Sequence, residues 1–279
     1  PRGGGKSTNS EAAVVRLGAR MARDYFWYIC ATQDQADEHV ANIASILESA
    51  EIESRHPSLS RRKLNKYGHS RGWRRNRLMT ESGLVVDALG LDVARRGFKV
   101  EERRPNAMVF DDIDGELDTP AAVEKKETVI TKKLLPAGSP DVAIWFNQNL
   151  IIPHGIVAKL SDGRARYLSR RIVSGPIPAL EGLDTENRDG RDIITAGEPT
   201  WQGQDVAACQ QFIDDWGLRA FKEEAQHDVY TTDDQIFAPA WWDLENGRNR
   251  YDASDTSWRN QSIARYLFVD TAFKDKQSN

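Results

Sequence analysis

Near its start the chain runs Gly3-Gly4-Gly5-Lys6-Ser7-Thr8, and far downstream an apolar run, Met108-Val109-Phe110, ends in Asp111-Asp112. Glycines let consecutive backbone N–H groups wrap the oxygens of a phosphate. A lysine closing the loop neutralises their charge, and the hydroxyl beside it can join the shell of a divalent cation. Two acids at the end of a buried strand supply the complement, one for the cation and one to polarise an attacking water. The expected pattern is Gly or Ala, four residues, then Gly-Lys-Ser/Thr. On that basis Gly3, Gly4, Gly5, Lys6, Ser7 and Thr8 are expected to bind ATP, Ser7 and Asp111 to hold Mg²⁺, and Asp112 to act as the base. Asp114, Glu116 and Asp118 crowd the same turn and compete for these roles. A glycine-rich turn with a chance lysine is the bland alternative for the first motif, and acids that merely end a strand for the second.

The elements that must position these groups follow from periodicity. Ala12, Val15, Leu17 and Met21 recur at helical spacing, so the loop feeds a helix from Ser7 to about Arg23. Residues 25–31 are aromatic and β-prone, which predicts a central strand. Thr32 or Asp34 caps the next helix, whose face is Val40, Ile43, Ile46 and Leu47. Short strands are expected at 77–80 and 84–89, then at 108–110 and 142–146, with Tyr167–Val173 as the last strand of the sheet. Thr119-Pro120 opens a helix to about Leu135, and a helical pattern interrupted near Gly217 runs from Asp205 to about Gln226. Strands alternating with helices imply an α/β unit with a mostly parallel sheet.

Composition narrows the classes. Lys and Arg total 38 and Asp and Glu 42, a formal net charge of −4, which leaves room for a local basic groove. No stretch approaches the eighteen or so apolar residues of a membrane span, so no membrane association is expected. Two cysteines, Cys30 and Cys209, exclude a disulfide scaffold and fit a reducing compartment. The chain opens at Pro1 inside the loop motif, and Tyr266-Leu267-Phe268-Val269-Asp270 reads as a buried strand starting a new unit. The expectation is a fragment of a longer protein, lacking the strand that aims the loop.

Several motifs together resemble one family. Pro1-Arg2-Gly3-Gly4-Gly5-Lys6-Ser7, with arginine four before the lysine, is similar to the variant phosphate loop of tailed-bacteriophage terminase large subunits. Arg95-Arg96-Gly97 ahead of Arg104-Pro105-Asn106-Ala107-Met108-Val109-Phe110-Asp111-Asp112-Ile113-Asp114 matches that family's arrangement, with Asn106 where Asp is commoner. Phe146-Asn147-Gln148-Asn149 falls where its coupling motif lies. The segments 172–180 and Phe221-Lys222-Glu223-Glu224-Ala225-Gln226 resemble later family segments, and Val269-Asp270-Thr271-Ala272 the first strand of an RNase H-like nuclease.

The resemblance implies a RecA-like P-loop ATPase domain over residues 1–200, a linker or lid subdomain over 201–262, and the start of the nuclease over 263–279. It implies an ATP-driven motor that moves double-stranded DNA into a procapsid, working as a homo-oligomeric ring, a pentamer, on the portal protein with a small terminase subunit. That places it in the bacterial host cytoplasm and transiently at the portal vertex. It also implies an endonuclease with two divalent metals, of whose ligands Asp270 alone is expected here.

Remaining candidates carry specific roles. Arg2 is suited to the γ-phosphate, or else to a salt bridge that holds the loop. Arg96 is the candidate arginine finger offered to a neighbouring subunit, with Arg95 as competitor. Asn147 and Gln148, with Asn149 beside them, are candidates to sense the γ-phosphate from a strand end, against ordinary turn chemistry. The basic stretch Arg61–Arg77, with Tyr67 and Trp73 interleaved, is a solvated insertion or a phosphodiester contact. His56, His69 and His154 lack metal-ligand spacing, and Trp201, Trp216, Trp241, Trp242 and Trp258 suit packing of the linker. Two rivals stay open. A superfamily-2-like helicase or other DNA-dependent ATPase would reveal itself by strand separation, and a non-hydrolysing prophage remnant by binding ATP without turnover.

Overall fold

The computed structural model describes residues 4–93 and 103–229. In order these are α1 (Lys6–Ala19), β1 (Tyr25–Cys30), α2 (Gln33–Leu47), α3 (Ala50–Arg55), α4 (Pro57–Ser60), β2 (Trp73–Arg74), β3 (Arg77–Met79), β4 (Val85–Gly90), β5 (Ala107–Asp111), α5 (Pro120–Val129), β6 (Ala143–Asn147), α6 (Ile156–Ser161), β7 (Leu180–Arg188), β8 (Arg191–Pro199), α7 (Val206–Trp216) and α8 (Leu218–Gln226).

A six-stranded mixed sheet, ordered β2-β3-β4-β1-β5-β6, organises the fold. β4, β1, β5 and β6 are parallel, whereas β2 and β3 add antiparallel at one edge. β1 is buried at every position because both of its faces are covered, as is usual for central parallel strands. Side chains alternate across a strand. Tyr25, Trp27 and Ile29 join Met108, Phe110, Val123, Ile130 and Ile156 on the side of α5 and α6. Phe26, Tyr28 and Cys30 join Val14, Val15, Val40, Ile43 and Leu47 on the side of α1 and α2. Each such buried side chain contributes roughly 1.5–3 kcal/mol.

Local chemistry sets the boundaries. Thr32 caps α2 in a reciprocal box with Gln35. Thr119 caps α5, with Pro120 in its first turn; beyond Val129 the helix widens into a π turn over Ile130–Leu134 and tightens over Leu135–Ala137. α1 ends at Ala19, short of the expected Arg23, and Met21 follows with a left-handed φ of 53°.

Two features depart from expectation. Tyr167–Val173 is not a strand. Leu168 has a left-handed φ of 50°, Ile172 is 96% exposed, and the Arg171 guanidinium binds the carbonyls of Leu160, Tyr167 and Leu168, so the segment is held as a turn. In its place β7 and β8 form a separate hairpin closed by Asp189-Gly190, both at positive φ, between the paired Arg188 and Arg191. The hairpin packs with α7 and α8 around Leu180, Cys209, Ile213 and Phe221. The expected break at residue 200 therefore falls between elements that share one core.

Candidate phosphate-binding site

The site forms at the carboxyl ends of the parallel strands, where loops converge in open α/β sheets. Gly5 is the residue before α1 and has a left-handed φ of 66°, a conformation glycine adopts without strain. Among the described residues no side chain caps α1, and its first turn holds no acid. A helix N-terminus carries the positive end of the helix dipole, a setting that favours an anion. Gly4, Gly5, Lys6, Ser7 and Thr8 line a cavity of about 480 Å³ together with Ala31, Gln35, Asp112, Glu116, Asn149 and Glu224.

β5 delivers the acids to the same place. Ser7 Oγ donates to Asp111 Oδ1 at 3.2 Å across a separation of 104 residues. Asp111 is 1% exposed and is satisfied by Tyr28 Oη at 2.6 Å on Oδ2 and by Asn147 Nδ2 at 3.2 Å on Oδ1. Asp112 follows at a left-handed φ of 47°. Its N–H donates to Asn147 O at 3.2 Å and its carbonyl accepts from Ala31 N at 3.3 Å, so the backbone is pinned from both neighbouring strand ends. That twist turns its side chain into the cavity, open to solvent on one side. Burial first, and then the adjacent Asp111 charge, push the Asp112 carboxyl above the ordinary carboxylate range, while Lys6 pulls it back. Burial likewise lowers the Lys6 ammonium from its usual value, against the opposing pull of Asp112 and Asp111.

The three amides after β6 separate in role. Asn147 holds Asp111 and Ser10. Gln148 is committed to the backbone: Oε1 accepts from Ile113 and Asp114 N–H, and Nε2 donates to Asp114 O, which fixes the loop after β5. Asn149, outside the pair favoured from sequence, reaches the lysine, with Lys6 Nζ donating to its Oδ1 at 2.8 Å and its Nδ2 donating to Glu224 O at 3.2 Å. Glu224 itself lines the cavity, and Gln226 clamps β7 through both Leu180 backbone groups. Phe221 fills the core between them.

The competing acids resolve as well. Asp114 is buried and caps α6 by accepting from Ile156 and Val157 N–H, and Asp118 accepts from Gly115 N–H and pairs with Lys126. Both serve the loop; Asp114 and Glu116 also line the cavity. In the basic stretch, Arg61 pairs with Glu81, Arg62 with Glu48, Arg75 with Asp34 and Asp37, and Arg77 with Asp87. Much of that charge is neutralised locally, and the stretch builds β2 and β3. His154 bonds the Asp118 carbonyl, and Trp216 stacks on Phe212. Arg2, Gly3, Arg95, Arg96 and Asp270, with the expected strand at 266–270 and Trp241, Trp242 and Trp258, lie outside the described residues.

Chemically, the arrangement offers a helix N-terminus and an ammonium for a polyanion, a hydroxyl–carboxylate pair for a hard cation, and a second carboxylate with raised proton affinity. Tyr28 and Glu224 escaped sequence reasoning; the Phe-x-x-Glu-x-Gln segment was a signal for Glu224, whereas nothing in the aromatic run marked Tyr28 as polar machinery. Among the described residues no cluster of three or more His, Cys, Asp or Glu is arranged to hold a metal alone, and no helix is long and apolar enough to cross a membrane. In comparisons with known proteins, no family model and no curated protein matches the chain.

Proposed function

We propose that this chain is the ATP-hydrolysing P-loop motor of a terminase large subunit, driving double-stranded DNA into a procapsid. The observation that carries the nucleotide part is the meeting of Lys6, Ser7 and Asp112 on one cavity, with Asp111 bonded to Ser7 behind it. The parallel order β1-β5-β6, with every site loop at the strands' carboxyl ends, supports a RecA-like reading.

In this proposal the triphosphate lies on the N-terminus of α1, and Lys6 leaves Asn149 to neutralise it. The donor set fits Mg²⁺. Ser7 gives its proton to Asp111 and so offers lone pairs outward. Bound by Ser7 and Asp111, Mg²⁺ supplies neutralisation of charge on the phosphate oxygens. Asp112 polarises the attacking water and accepts its proton. Asn149 links Lys6 to α8, which gives phosphate occupancy a route to the hairpin and helices that share its core.

The DNA part is supported by the order of motifs along the chain: the arginine-bearing loop, Arg95-Arg96-Gly97, the paired acids, the amides after β6 and Phe221–Gln226. The same resemblance supports an arginine finger from Arg96, a pentameric ring on the portal protein, a small-subunit partner, a site of action at the portal vertex within the host cytoplasm, and Asp270 as a nuclease metal ligand.

The test is ATP turnover with and without duplex DNA, with Asp112→Asn alongside. The proposal expects turnover that rises with duplex DNA and is lost in Asp112→Asn while ATP binding persists. Turnover indifferent to DNA removes the motor, and binding without turnover in the unaltered chain favours the non-hydrolysing scaffold.

A further inference from the structure

Asp111 is a carboxylate in a nearly dry position, so the donors around it decide which way its oxygens face. Tyr28 Oη donates to Oδ2 at 2.6 Å, which leaves Oδ1 to Ser7 and Asn147. A carboxylate can turn about its Cβ–Cγ bond; a short phenol bond on one oxygen stops that rotation.

Tyr28 is itself held. The His39 ring stacks on it with centroids 4.8 Å apart and planes at 28°. His39 Nδ1 lies 2.7 Å from Glu11 Oε1, and Asn42 Nδ2 donates to the same oxygen at 2.9 Å. Glu11 stands one helical turn after Ser7 on α1, so the contacts close a circuit: Ser7, Asp111, Tyr28, His39, Glu11 and back along the helix. Packing alone asks for nothing polar here. Phe26 and Cys30, which share the Tyr28 face of β1, are satisfied by an apolar layer. Yet Glu11 and Asp111 are buried on this side of the sheet, while the His39 side chain retains 19% exposure.

We propose that Tyr28, backed by His39 and Glu11, is a positioning residue that fixes the Asp111 carboxylate so that Oδ1 faces Ser7 and the cation they share. This rests on the nucleotide-site reading above. None of the three lines the cavity; they act through Asp111.

The test titrates Mg²⁺ into the full chain with a fluorescent non-hydrolysable ATP analogue, comparing wild type with Tyr28→Phe and His39→Gln and recording ATP turnover in parallel. Tyr28→Phe keeps the stacked ring and removes only the phenol. It is expected to raise the Mg²⁺ needed for half-maximal analogue binding about tenfold, the scale typical of residues that orient metal ligands. The KM for Mg-ATP rises with it, whereas kcat at saturating Mg²⁺ changes little. His39→Gln shifts the curve the same way by less, and carries the test if Tyr28→Phe fails to fold. Mg²⁺ curves that superpose on wild type overturn the positioning role. A wild-type chain that binds no analogue at any Mg²⁺ concentration overturns the nucleotide reading, and this inference with it.

Discussion

Asp112 combines a strained backbone with a shifted proton affinity. Aspartate and asparagine tolerate the left-handed region better than most residues, so Asp112→Asn keeps the turn and removes only the charge. Turnover is expected to fall roughly 10²–10⁴-fold, a loss typical of a missing general base, with a melting temperature at neutral pH equal to or above that of the unaltered chain because a disfavoured charge is removed; a loss of less than about tenfold would assign the base elsewhere, to Glu116 first. The pH dependence has a definite sign. The folded-state pKa of Asp112 is raised by burial and by Asp111, and only the ionised form accepts a proton. Turnover therefore rises with pH through that raised value, and its acid limb lies above that of a free aspartate. Lys6, lowered by burial, sheds its proton earlier than a free lysine, which draws the alkaline limb inward. For stability, the Asp112 shift favours the fold below the unfolded-state pKa, and that contribution is lost as pH rises through the folded one. A pH–rate profile with an acid limb at the ordinary carboxylate value would contradict the account.

At the scale of elements, Asn106 explains why the start of β1 is fixed. Its Oδ1 accepts from Asp24 and Tyr25 N–H, and its Nδ2 donates to Asp24 Oδ1 at 2.8 Å. An aspartate would lose that donor and set two carboxylates together. Asn106→Asp is expected to lower stability by about 1–3 kcal/mol at neutral pH, with the loss shrinking as the medium is acidified; an unchanged urea midpoint would contradict it. Gln148→Leu would strip three backbone partners from Ile113 and Asp114, costing about 1–3 kcal/mol in the same assay. The strands β1, β5 and β6 and the helix α2 were legible because their signals are local: apolar runs, a capping residue at Thr32 or Asp34, apolar residues at helical spacing. Tyr167–Val173 misled because its β-prone run carries no sign that Arg171 folds back on three carbonyls. The β7–β8 hairpin did leave a trace in Asp189-Gly190, but charged residues through both strands hid its alternation.

Across the described residues, helices cover both faces of the sheet, and Asp112 and Asn149 follow the carboxyl ends of β5 and β6 to meet Lys6 and Ser7, so the sheet serves as the scaffold for that end. The meeting of Lys6, Ser7, Asp111 and Asp112 was readable in sequence because a glycine-rich loop before a helix and an apolar strand ending in two acids are both local signals. The exchange of Gln148 for Asn149 was not readable, since three adjacent amides look alike until the strand end gives each a direction. Nor was Tyr28, whose hydroxyl matters only because β1 and β5 lie side by side in register. The most direct measurement is steady-state ATP hydrolysis in Mg²⁺ by the unaltered chain beside Lys6→Ala. Measurable turnover is expected, falling at least about a hundredfold in the variant, with both proteins melting together. Equal turnover in the two, or none in either despite a folded chain, would contradict it.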